Sequence, residues 1–152
     1  MLKHDTLAVD HRGLEEALER ALERLFDHDG ELVDKGAGLV TIAHRCALYL
    51  ENELKASLLL SDLVVDLDHG EGFGSRGPSL SVQYRPPATR GEAPQRILAL
   101  ECRRKLLGPA DKRRLLGLEG HPGTWERALG IAWKPGAPYF LISLKFGRAR
   151  SA

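Results

Sequence analysis

The chain has 152 residues, 43% of them hydrophobic and 28% charged, the balance of one soluble globular domain with a single buried core. No apolar run approaches the roughly 20 residues that cross a bilayer, and MLKHDTLAVDHRGLEE lacks the apolar stretch and small cleavage residues of a secretory signal, so neither a membrane span nor export is expected. The formal net charge of +1 conceals a division: residues 1–75 hold 7 Lys and Arg against 16 Asp and Glu, whereas residues 76–152 hold 15 against 5.

In chain order, Leu14, Ala17, Leu18, Ala21, Leu22 and Leu25 recur at three- and four-residue spacings and predict an amphipathic helix over Leu14–Phe26, stopped by Asp27–Gly30. A second helix is predicted over Gly38–Ala56, with Leu39, Ile42, Ala43, Cys46, Leu50 and Leu54 as its apolar stripe. The period then changes to two. Leu63, Val65 and Leu67 alternate with Val64, Asp66 and Asp68, a strand with one apolar face and one that turns acidic. The loop HGEGFGSRGP joins it to a strand over Ser79–Arg85, as an antiparallel hairpin. RPPATRGEAP reads as a loop, because its prolines cannot donate to a ladder.

A buried strand follows over Arg96–Arg103, then a short helix from Pro109 at its first position through Leu118. Leu129–Trp133 and Tyr139–Phe146 complete the pattern as two strands separated by KPGAP. The order α, α, β, β, β, α, β, β predicts a mixed α/β domain spanning residues 1–152, with residues 1–36 as a helical extension and 38–146 as the core.

Several motifs fail on context. Gly72 to Gly77 formally matches GxGxxG, but Pro78 leads into a strand rather than the helix that a dinucleotide pyrophosphate needs. The six histidines are scattered and the two cysteines form no CxxC pair, which argues against structural zinc. Cys46 and Cys102 lie in apolar runs and read as inert, reduced thiols, which places the protein in the cytoplasm.

The acids on strands are more informative. Glu101 ends a buried strand, and Arg103 and Lys105 project to its side if the strand continues. Asp66 and Asp68 end an earlier strand. Carboxylates that converge at strand ends supply the hard oxygen ligands of Mg²⁺, and a nearby cation would neutralise developing phosphate charge. The plainer alternative is a salt bridge between Glu101 and an arginine. The charge division is open in the same way. A basic half binds polyanions by releasing counterions, or it pairs with an acidic half within the globule.

The order of elements and the residues HRCALYLE (44–51), LVVDLDH, GPSLSVQYR, ILALECRRK and DKRRLLGL together resemble the PD-(D/E)XK, or restriction-endonuclease-like, nuclease superfamily over about residues 38–146. That resemblance implies an α-β-β-β-α-β core behind an extra N-terminal helix. In an intact member an Asp after Pro and the Glu of E-x-K hold a divalent metal, Mg²⁺ or Mn²⁺, and the Lys serves the attacking water. Glu101 matches the glutamate. Ser79 stands where the Asp belongs and Arg103 where the Lys belongs.

Serine brings no charge to a hard cation, and arginine is too basic to act as a neutral amine. The resemblance therefore implies a nuclease-like domain that keeps its nucleic-acid surface while its metal site is eroded. Arg76, Arg85, Arg103, Arg104, Lys105, Lys112, Arg113 and Arg114 are the candidate contacts to DNA or RNA. Two alternatives stay open. One is an active Mg²⁺-dependent nuclease, using Glu101 with Asp66 or Asp68 and with Lys105 or Lys112 in place of the missing lysine. The other is an assembly module, in which the basic half meets an acidic half of another copy.

Overall fold

The computed structural model describes residues 8–67, 80–103, 109–110, 113, 125–132, 140–143 and 148–151. Two helices, α1 (His11–Asp34) and α2 (Leu39–Lys55), precede a six-stranded sheet. Its strands are β1 (Leu63–Leu67), β2 (Leu80–Tyr84), β3 (Gln95–Arg103), β4 (Arg127–Ala132), β5 (Phe140–Ser143) and β6 (Arg148–Ser151), in that spatial order. The protein is a mixed α/β domain, as the pattern predicts. β1, β2 and β3 form an antiparallel meander, β3 and β4 run parallel, and β4, β5 and β6 are antiparallel again. A parallel pair needs a crossover of a dozen or more residues. Pro109, Ala110 and Arg113 are helical within that connection, where the proline predicts a helix start.

α1 differs most from expectation. Asp10 caps it, with its side chain accepting from the Gly13 N–H at 3.0 Å. A Cβ on Gly13 would lie 2.4 Å from Asp10 Oδ2, so a larger residue there would push the capping carboxylate aside. The helix does not stop at Asp27–Gly30 but bends at Asp29 (φ −122°, ψ 19°) and continues. Tertiary contacts overrule the local break. Tyr49 of α2 donates to Asp29 Oδ2 at 2.6 Å, the Tyr49 ring stacks on His28, and Val33 beyond the bend is buried. The true stop is Gly36, at φ 73°, where the Ala37 N–H reaches Leu32 O and the Gly36 N–H reaches Val33 O.

The two helices cover one face of the sheet. Leu14, Leu18, Leu22 and Leu25 of α1 and Ile42, Cys46, Leu50 and Leu54 of α2 share one core with Leu63, Leu80, Val82, Leu98, Leu100, Cys102, Leu129 and Ile131. α1 thus contributes to the same core as α2 and the sheet. Each fully buried leucine contributes about 1.5–3 kcal/mol of transfer free energy, so this face carries much of the stability. Above it, Glu53 is held between Arg20 at 2.9 Å and Arg24 at 3.1 Å, which ties the helices together. At the other end, Glu126 accepts from Gln95 at 3.2 Å and lies 3.6 Å from His11, while Arg127 lies 3.9 Å from Glu15. These contacts fasten the start of α1 to the starts of β3 and β4.

β6 was not legible in the sequence. Its residues RARS carry no apolar alternation, yet they pair with β5 from Phe140↔Ser151 to Ser143↔Arg148. A sheet edge supplies backbone partners whatever the side chains are, so the sheet extends beyond the predicted end at residue 146.

Candidate functional site around Glu101

β3 delivers its residues alternately to two faces. Leu98, Leu100 and Cys102 point into the helix-side core, which leaves Ala99 and Glu101 on the opposite face. An irregularity sets this phase. Val82 pairs with Leu98 but Gln83 pairs with Arg96, so Ile97 is an extra residue. The bulge lets both Ile97 and Leu98 enter the helix-side core and assigns Arg96 to the Glu101 face.

The register then defines the neighbours of Glu101. On β4 it stands beside Gly130, with Ala128 beside Ala99 and Ala132 beside Arg103. On β2, Ser81 stands opposite Ala99, and Asp66 of β1 stands opposite Ser81. The Glu101 face is therefore small at its centre. Ala99, Ala128, Ala132 and Ser81 are all buried, and Glu101 itself is only 1% exposed. A carboxylate taken this far from water costs several kcal/mol unless a proton, a cation or hydrogen bonds compensate it.

The other sequence-predicted residues are distributed unevenly. Asp66 is on the same sheet face as Glu101, but Arg85 Nη2 donates to its Oδ2, which engages both residues with each other. Two strand spacings and a two-residue step separate Asp66 from Glu101, roughly 12 Å between their Cα atoms. Among the described residues no group of three His, Cys, Asp or Glu side chains could hold a metal ion.

Arg113 is exposed and helical. The backbone of Arg103 lies in β3 beside Ala132. Its side chain, together with Asp68, Arg76, Ser79, Arg104, Lys105, Lys112 and Arg114, lies outside the described residues.

Residues not singled out from the sequence also belong to this face. Gln83 Nε2 donates to Ser81 Oγ at 3.3 Å, and the Arg96 guanidinium lies over the ring of the buried Trp125 at 5.6 Å. The signal for the first pair was present. In SVQYR the polar residues Ser81, Gln83 and Arg85 alternate with Val82 and Tyr84, which is a two-faced strand. Trp125 had no such signal, since it precedes its strand.

Elsewhere the titratable groups behave as packing elements. Burial pushes the Cys46 thiol up to about 12, so it stays protonated and inert. The Tyr49 hydroxyl is raised above its ordinary value, first by its hydrogen bond to Asp29. Among the described residues no helix is long and apolar enough to cross a membrane.

Compared with known proteins, no family model and no curated sequence matches the chain. Among solved structures it is similar to Hjc, a Holliday junction resolvase from the hyperthermophilic archaeon Archaeoglobus fulgidus. The two share 17% identity over 66% of this chain and 80% of that one, with a TM-score of 0.34.

Proposed function

We infer that the protein is a nuclease-like domain of the PD-(D/E)XK superfamily that binds nucleic acid and no longer cuts it. One observation carries the reading. The glutamate of E-x-K, Glu101, is buried on a central strand, between an antiparallel β2 and a parallel β4, on the face turned away from α1 and α2. An α-β-β-β-crossover-β order with the motif carboxylate on its third strand supports the resemblance.

The chemistry of the remaining motif positions supports loss of cleavage. Ser79 supplies no charge for a hard cation, and Arg103 keeps its proton at any physiological pH. Asp66, one of the two replacement acids, is engaged by Arg85. A metal, when bound in an intact member, polarises the phosphodiester and its water. Here Glu101 is the surviving part of that arrangement. The basic second half supplies the nucleic-acid surface, with Arg103, Arg104, Lys105, Lys112, Arg113 and Arg114 as its contacts. Both cysteines are free and buried, which suits a reducing cytoplasm.

The test uses purified protein with single- and double-stranded DNA and RNA, in Mg²⁺, in Mn²⁺ and in chelator. The expected result is binding without cleavage. Binding weakens steeply with added salt and in an Arg103, Arg104 and Lys105 triple alanine variant. Cleavage that chelator and Glu101→Ala both abolish would overturn the eroded site. Absence of binding at low salt to every one of these nucleic acids would overturn the binding role.

A further inference from the structure

We propose that Asp66 is a built-in competitor for Arg85, so that a nucleic-acid phosphate binds this edge of the sheet by displacing the Asp66 carboxylate. The inference rests on the nucleic-acid reading above and adds regulation to the same face.

Four observations carry it. Arg85 Nη2 donates to Asp66 Oδ2, so the guanidinium of one candidate phosphate contact already holds an anion. Asp66 stands opposite Ser81, which places the pair on the Glu101 face. Among the described residues β1 is an edge strand, and Arg85 is 54% exposed while Asp66 is 28% exposed, so a large ligand can reach the pair. Arg85 also precedes Pro86, and a residue before proline favours extended backbone over helix, in keeping with its reach across to Asp66.

The guanidinium fork takes carboxylate and phosphate oxygens in the same geometry. The carboxylate therefore stands in for the ligand in the free protein. Exposed pairs of this kind are weak, so a phosphate can displace the acid, and breaking the Asp66–Arg85 pair lowers the net affinity of the exchange. The arrangement discriminates against isolated phosphates and favours a polyanion whose other contacts offset the exchange.

The experiment measures binding of labelled single- and double-stranded DNA and RNA oligonucleotides by anisotropy across a salt series. The proteins are the wild type, Asp66→Asn, Arg85→Gln and the double variant. Asp66→Asn is expected to bind about three- to ten-fold tighter. Its log–log salt slope is expected to steepen by about one, for the newly available cation. Arg85→Gln binds more weakly than wild type, and the double variant binds no more tightly than Arg85→Gln. Binding by Asp66→Asn where the wild type shows none would also support the proposal, as a complete block.

Wild-type binding with Asp66→Asn unchanged overturns the competitor and leaves the nucleic-acid reading standing. A gain that persists in the double variant also overturns it, because the effect is then one of net charge. Absence of binding by every variant overturns both.

Discussion

The two faces of one strand, β3, obey opposite packing rules. Leu98, Leu100 and Cys102 face the helices and fill space, whereas Ala99 and Glu101 face the other way among Ser81, Ala128, Gly130 and Ala132. The helix face is held by volume. The Glu101 face is defined by small side chains and a buried carboxyl group, which contribute little transfer free energy. A sheet can place stability and chemistry within one residue of each other because its side-chain period is two.

The largest expected effect tests the helix face. Leu100→Ala removes a fully buried side chain and should cost about 2–5 kcal/mol, read as a lower urea midpoint with an unchanged slope. The neighbouring residue should fail in the opposite direction. Ala99→Leu overfills the small face and should cost about 1–3 kcal/mol, while Ala99→Gly is milder. If Ala99→Leu proved neutral, the small face would have spare volume and the contrast between the faces would dissolve.

The smallest effect lies at the α1 bend. The folded protein raises the Tyr49 hydroxyl above its ordinary value, so the protonated form is favoured by folding. Its contribution is complete below the ordinary phenol value near 10 and is lost as pH rises through the raised one. Thermal melts between neutral and strongly alkaline pH should therefore show a steeper alkaline fall in the wild type than in Tyr49→Phe. Identical slopes would mean that the hydrogen bond to Asp29 does not hold the bend.

Much of this was readable from residue order. Three- and four-residue spacings give both helices, with α2 predicted to within a residue at each end; period-two alternation gives β1, and a continuous apolar run gives β3. Where local signals misled, a distant partner was responsible. Asp29–Gly30 is a sound stop signal, but Tyr49 and His28 stabilise a bend there and the burial of Val33 draws the helix onward. β6 has no apolar pattern because an edge strand can be selected by backbone pairing alone.

The site divides in the same way. The sequence by itself determined that a carboxylate sits at the end of an apolar strand, because alternation and composition are local properties. It assigned Asp66 to a metal and Arg85 to phosphate by residue type. Only the tertiary structure decided that those two side chains meet each other. It also decided that a bulge at Ile97 phases Glu101 onto the face away from the helices. Register and pairing depend on which strands become neighbours, and that choice is made by the packing of the whole sheet against α1 and α2.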